Sequence, residues 1–339
     1  MRDGIDASVT AEPLLQMAAD FYRWRTVLFA IELDLFTVLG AEPATEPAVR
    51  QRFGLDERGT RHFLDALVSS GLLDRTDGRY APTPLAARFL DSGTASHLGR
   101  FLGQADARWA RIGEGLRSGA PQNGARATSG LFTGQHRDQA AWRAYYGGMD
   151  ALNGPSGAAL AQVFDWSSVK RVTDVGGARG NVCAELVRAH PHLQATVFDL
   201  PPVQAVFDEH MVELGLEGRV GFRAGDFFTD PLPASDAVVF GHVLHDWGVE
   251  ERRILARKAF QALEPGGVAL VYDTMIDAEL RSRPNSLLIS LNMMLCTPGG
   301  SEYTPAEGGT WFTEAGFDTV ESVPLVNDDV LLIARRSPA

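Results

Sequence analysis

His245, in the run Leu244-His245-Asp246-Trp247, stands just past an apolar segment, where a base could face a bound cofactor. Histidine titrates near neutral pH, so one held at a strand end is suited to general base chemistry. Upstream, Arg171-Val172-Thr173-Asp174-Val175-Gly176-Gly177-Ala178-Arg179-Gly180 reads as an apolar strand ending in an acid and a glycine-rich turn, with a helix opening at Asn181. Such a turn lets a cofactor lie against bare backbone. A dinucleotide turn would read G-x-G-x-x-G; here Val175 takes the first glycine position, and the match to nicotinamide enzymes fails. The turn carries no lysine, which counts against a triphosphate. A second acid, Asp199, closes the next strand, and a third, Asp226, is followed by Phe227 and Phe228. Carboxylates for ribose hydroxyls and an exocyclic amine, with a ring over the base, suit a nucleoside without phosphates.

The elements that must position these residues follow from periodicity. From Lys170 onward, apolar strands at Arg171–Val175, Ala195–Asp199, Val220–Ala224, Ala237–Gly241 and Val268–Asp273 alternate with helices. The helices fall near Val182–His190, Val203–Leu214, Glu251–Leu263 and Pro305–Ala315. That alternation predicts an α/β fold with a doubly wound parallel sheet. Thr319–Leu325 and Val330–Arg335 are joined by four residues, a link short enough to permit only an antiparallel hairpin. Before the sheet, Leu14 to about Leu39 reads as one amphipathic helix, and shorter helices follow at Glu46–Phe53 and Asp56–Ser70, the latter capped by Asp56. Leu73–Ala81, with Asp77-Gly78 at its centre, reads as a hairpin. This is a winged-helix outline, all-helical apart from its two-stranded wing. Ala95 to Phe164 reads as helical, interrupted by a loop over Gly119–Gly130. The expected organisation is 1–100 winged-helix dimerisation domain, 101–165 helical linker contributing to the substrate pocket, and 166–339 cofactor-binding domain.

The 339 residues, 45% hydrophobic and 22% charged, describe a globular chain long enough for two domains. A formal charge of −12 argues against a general polyanion binder. Two cysteines, Cys183 and Cys296, can build neither a disulfide framework nor a four-cysteine zinc site. The start lacks the pattern of a signal peptide, and Val27–Leu39 is too short to span a bilayer. A soluble cytoplasmic protein without membrane or nucleic-acid partner is expected.

The ordered set Asp174-Val175-Gly176-Gly177, Phe198-Asp199-Leu200-Pro201, Gly225-Asp226-Phe227-Phe228, Leu244-His245-Asp246-Trp247, Pro265-Gly266-Gly267 and Glu302-Tyr303-Thr304 resembles the S-adenosylmethionine-dependent O-methyltransferases of the caffeate and acetylserotonin type. Bacterial natural-product enzymes are among them, and the resemblance covers nearly the whole chain. It implies a class I methyltransferase sheet of Rossmann-like form, S-adenosylmethionine as cofactor, a homodimer and a small aromatic acceptor. By the resemblance, Asp174, Gly176, Gly177, Asp199, Leu200, Asp226, Phe227 and Asn153 would hold the cofactor. His245 would be the base, with Glu302 and Asp273 its acids; the longer Glu302 is expected to reach the imidazole better. Met149, Trp142 and Met293 would pack the substrate. The family usually has a third glycine where this chain has Ala178, an exchange tolerable only away from positive φ.

Trp109, Tyr145, Tyr146 and Met294 could extend an aromatic and thioether wall, and Arg23, Arg25, Arg126 and Arg143 could meet a substrate carboxylate. Asp246 reads as a helix cap and Trp247 as core. His242, His245 and Asp246 invite a metal reading; with no histidine after His245, no functional metal is expected. The rivals are C-methylation beside a 2-oxo acid, chemistry without methyl transfer on the same fold, and a winged-helix regulator. Acids at Asp56, Glu57 and Asp65 in the would-be recognition helix oppose the last.

Overall fold

The computed structural model describes residues 9–94, 96–122, 139–279 and 283–338. Contacts divide the chain into two compact units, Met1–Gln104 and Ala105–Ala339.

In the first unit, the helix expected over Leu14–Leu39 is two helices, α1 (Glu12–Glu32) and α2 (Leu35–Ala41). The break is at Asp34, which takes the left-handed conformation (φ 53°) and accepts a hydrogen bond from Thr37 Oγ1 at 2.6 Å. Aspartate tolerates this conformation because its short side chain bonds locally. The break turns Leu35, Phe36 and Leu39 into a core shared with Leu64, Leu67 and Tyr80. Next come β1 (Ala44–Thr45), α3 (Glu46–Phe53) and α4 (Glu57–Ser69), the last capped by Asp56, whose Oδ1 accepts from Arg58 N at 2.9 Å. β2 (Leu73–Thr76) and β3 (Arg79–Pro82) form the wing, turned by Asp77 and Gly78 at φ 50° and 76°, the signs a tight hairpin demands. The wing is three-stranded, in the order β1-β3-β2; β1, only two residues long, is too short to leave a periodic signal. α5 (Pro84–Phe89) and α6 (Gly99–Trp109) follow.

The second unit begins within α6 and continues with α7 (Ile112–Ser118) and α8 (Gln139–Val163). Most of the loop expected over Gly119–Gly130 lies outside the described residues. There follow β4 (Arg171–Val175), α9 (Asn181–Ala189), β5 (Gln194–Asp199), α10 (Gln204–Glu213), β6 (Val220–Ala224) and β7 (Ser235–Gly241). α11 (Val249–Ala262), β8 (Leu263–Asp273), α12 (Pro284–Cys296), α13 (Pro305–Ala315), β9 (Thr319–Pro324) and β10 (Val330–Arg335) complete it. Sequence periodicity gives no sign of α12. Its apolar residues, Leu287 to Leu295, run around the helix rather than along one stripe, and Leu288 stays 51% exposed.

The seven strands lie in the order β6-β5-β4-β7-β8-β10-β9. β4 to β8 run parallel, and the final hairpin adds antiparallel to β8. The chain builds outward from β4 to β6, then returns to β7 on the other side of β4. That reversal opens a crevice beyond the C-terminal ends of β4 and β7, where such sheets place their sites. The inner strands are buried on both faces, between one core around Leu186, Val197, Val239 and Leu270 and another around Phe240, Leu255, Val271 and Phe312. Trp166 anchors the first core: it is 1% exposed, packs edge-on against Phe164 and donates from Nε1 to Leu160 O at 3.2 Å. Trp166→Ala is therefore expected to cost about 3–5 kcal/mol, read as a lowered urea midpoint.

Candidate active site

The glycine turn follows β4 directly. Gly176 has φ 74°, and a Cβ there would stand 3.0 Å from Val243 Cγ2 and 3.8 Å from Phe227 Cε1. A Cβ on Gly177 would run into the Asp174 carboxylate. Ala178, the departure noted above, does sit at positive φ (48°), contrary to the condition under which alanine would be easy. It is held there by Asp199, whose Oδ2 accepts from Ala178 N at 2.9 Å while Oδ1 accepts from Leu200 N at 2.7 Å. One carboxylate thus fastens two successive strand ends.

Met149, Asp150 and Asn153 of α8, with Asp174, Gly176, Gly177, Ala178, Gly241 and Tyr272, line a cavity at this turn. Asp174 and Asp199 are buried; burial, then the Asp199 charge, pushes Asp174 up to about 7, and burial lifts Asp199 to about 6 against its two backbone donors. Asp174 Oδ2 has no hydrogen-bond partner among the described residues. Asp226 folds the next turn on itself, accepting from Phe228 N at 2.8 Å, and sets Phe227 against Phe228 and Trp247 at 4.8 and 5.8 Å.

Across the crevice, β7 ends in Gly241-His242 and a single 3₁₀ turn, Leu244–Asp246. His245 is buried there, 7% exposed, and its Nδ1 meets Glu302 Oε1 at 2.7 Å. Asp273 Oδ1 lies farther off, at 3.6 Å, and its Oδ2 accepts from Tyr303 OH at 2.6 Å. Burial alone would depress the imidazole, but the charges of Glu302 and Asp273 outweigh it and raise the pKa to about 10. Burial pushes both acids up, against the pull of His245. In the neutral imidazole, with Nδ1–H donating to Glu302, Nε2 carries the lone pair.

Most of the residues expected at the site fall into two groups. Met149, Asn153, Asp174, Gly176 and Gly177 gather around the cavity, where Met149 stands on the side of the glycine turn. His245, Glu302 and Asp273 form a second group. Met293 is on α12, which packs against the His245 turn. The Trp142 side chain and Arg126 lie outside the described residues. Arg143 and Arg23 are engaged in exposed pairs with Glu209 and Asp20. Asp246 caps no helix, since α11 begins after Gly248; its carboxyl is pushed up to about 6 by burial. The carboxylate that joins His242 and His245 in a compact cluster is Asp273, their ligand atoms lying within 4.8 Å of one another. His245 Nδ1 is bonded to Glu302 and His242 Nε2 to Asp329, so the cluster is a hydrogen-bonded one.

Sequence reasoning missed Asp150, which pairs with Arg179, and Tyr272 and Gly241. A Cβ on Gly241 would overlap the Tyr272 hydroxyl, a closeness that no local pattern announces.

The fold and these two groups define an S-adenosylmethionine-dependent methyltransferase, and the comparisons agree. The O-methyltransferase domain family matches residues 109–318 and the O-methyltransferase dimerisation domain residues 15–92. The tetracenomycin polyketide synthesis 8-O-methyl transferase TcmO of Streptomyces glaucescens is 45% identical over 95% of this chain and 96% of its own. The N,N-dimethyltransferase OxyT of Streptomyces rimosus is 36% identical over 96% of each chain. Human N-acetylserotonin methyltransferase, solved in complex with S-adenosylmethionine, superposes with a TM-score of 0.83 at 27% identity, over 98% of this chain and 100% of that one. The chain belongs to the S-adenosylmethionine-dependent O-methyltransferase family.

Alanine in the left-handed region is strained, and glycine relieves that strain at some entropic cost in the unfolded chain. Ala178→Gly is expected to stabilise the protein by about 0.5–1 kcal/mol, measured by urea unfolding.

Proposed function

We propose that this enzyme methylates a phenolic hydroxyl of a small aromatic metabolite, with His245 as general base. The observation that carries this reading is the buried 2.7 Å contact between His245 Nδ1 and Glu302, which in the neutral imidazole leaves Nε2 to accept a proton. The relative named for O-methylation in polyketide synthesis supports an acceptor of polyketide type.

S-adenosylmethionine supplies an activated methyl group when bound. The cradle fits it: the orphaned Asp174 Oδ2 offers an acceptor for an ammonium group, and Gly176 leaves backbone bare where a Cβ would meet Val243. Asp199 spends one face of its carboxylate on the turn and keeps lone pairs for ribose hydroxyls. Asp226 and Phe227 would border the adenine. His245 then withdraws the acceptor proton at Nε2, and Glu302 keeps Nδ1 protonated and stabilises the imidazolium, as the aspartate of a hydrolase triad does. A base raised towards 10 is matched to a phenol, whose pKa is about 10. The reading needs no metal.

OxyT favours a second reading, in which the acceptor atom is an amine nitrogen. Isotope-labelled S-adenosylmethionine, offered with phenols, hydroxyaryl acids, aromatic amines and 2-oxo acids, separates the cases by mass spectrometry. Label on oxygen supports the proposal; label on nitrogen or carbon replaces its acceptor.

His245→Ala should lower kcat by about 10²–10⁴-fold and leave the cofactor Kd within about threefold. His245 works only when unprotonated, so activity falls as pH drops through its pKa. Glu302 raises that pKa, so Glu302→Gln should move the acidic limb of the kcat/KM profile to lower pH as well as lower its plateau. A limb that stays in place or moves upward would sink the pairing.

We further propose that α1 makes a homodimer. Leu14, Leu15, Met17, Phe21 and Tyr22 are 57–70% exposed on it, an apolar surface larger than monomers usually leave in water. Light scattering should give a dimer for the wild type and a folded monomer for the Leu15→Glu, Phe21→Glu double variant.

A further inference from the structure

Arg252, on α11, is 2% exposed, yet among the described residues it makes no ion pair. A buried guanidinium is costly, and burial depresses its pKa. A leucine or methionine would fill the space more cheaply, so what the guanidinium touches calls for an explanation. Nε donates to Leu244 O at 2.9 Å, and Nη2 to Ser301 O at 2.5 Å and to Ser301 Oγ at 3.1 Å. These two carbonyls belong to the peptide bonds immediately before His245 and before Glu302. The group lies over Tyr303 and Trp311, with Cζ 4.8 and 5.1 Å from their ring centres, which themselves stand 4.8 Å apart. A separate bond, Ser301 N to His245 O at 2.9 Å, joins the same two segments.

We propose that Arg252 is a positioning residue which, by gripping both peptide planes, sets the distance between His245 and Glu302. Residues 57 positions apart are brought to 2.7 Å although neither lies within an α-helix or a strand. Glu302 is on the loop after α12, and His245 is on a single turn after β7. A rigid fork reaching two carbonyls can hold such a pair, and errors of about an ångström in such constellations cost roughly 10²-fold in rate. Lysine would keep the charge and the ring contacts, but one ammonium cannot reproduce the fork. The inference rests on His245 acting as the base.

The test is a double-mutant cycle of Arg252→Lys with Glu302→Gln, scored by kcat, cofactor Kd and the pH profile. The groups facing His245 are Glu302, Asp273, Asp246 and the His242 ring, and those facing Arg252 are Tyr303, Asp273, Glu302 and Glu307. Their charges are unchanged in Arg252→Lys, so a displaced limb reports the loosened contact between Glu302 and Nδ1. Expected for Arg252→Lys are a fall in kcat of about 10–100-fold, a cofactor Kd within threefold and an acidic limb moved to lower pH. Added to Glu302→Gln, it should cost less than about threefold more, because the contact it serves is already gone. Losses that multiply in full, or an unmoved limb, overturn the proposal. If Arg252→Lys does not fold, Ser301→Ala takes its place; an expected loss of about threefold with the same direction of shift supports the clamp, and an unchanged profile overturns it. Full activity in His245→Ala would instead overturn the base reading, a result distinct from multiplying losses in a His245-dependent enzyme.

Discussion

Burial of carboxyl groups is the constraint on which the site depends. Asp174, Asp199, Asp273 and Glu302 all stand within the protein at the C-terminal edge of the sheet. Each would be costly there without a partner, and each has been given only part of one. Asp199 has two backbone donors, Glu302 has the imidazole, and Asp273 has the Tyr303 hydroxyl. Asp174 Oδ2, Asp273 Oδ1 and Glu302 Oε2 have no hydrogen-bond partner among the described residues. Asp174 lines the cavity at the glycine turn, where a group bearing donors would relieve it.

The same edge stores backbone strain. Ala178 after β4 and His242 after β7 are both left-handed, at φ 48° and 51°, one on each lip of the crevice. Neither residue favours that conformation, and each is held by a carboxylate: Asp199 takes the Ala178 amide, and Asp329 takes the His242 ring at 3.2 Å. Asp329 also accepts from Ser156 Oγ and Thr274 Oγ1, at 2.6 and 3.0 Å. Burial would raise it, but the bonds from His242, Ser156 and Thr274 win, and it titrates below the usual range. Through it the C-terminal hairpin is tied to α8, to β7 and to the end of β8. The pairing of Val330 with Asp273 carries the same hairpin alongside the His245 and Glu302 pair. The antiparallel addition is therefore part of the site, not an ornament on the sheet.

Much of this was legible in the residues alone. β4 and β10 coincide with their expected bounds because buried apolar runs leave a strong local pattern, and α13 because Thr304 and Glu307 close a capping box at its start. Asp199 could be picked out as a strand-end acid, and His245 as the histidine following an apolar strand. The misses are physical as well. The break at Asp34 depends on a core that rewards turning the chain, α12 has no stripe, and β1 exists only through its partner β3.

The sequence by itself determined the alternation of strands and helices around the central sheet, the nucleoside-type turn and the histidine offered as base, since these rest on local periodicity and on side-chain chemistry. Only the tertiary structure decided that Glu302 reaches His245 more closely than Asp273 does, that Tyr272 closes over Gly241, and that a buried arginine grips the peptides on both sides of the pair. Such facts are distances between residues remote along the chain. They are set by how strands and loops pack, and no local spacing encodes them.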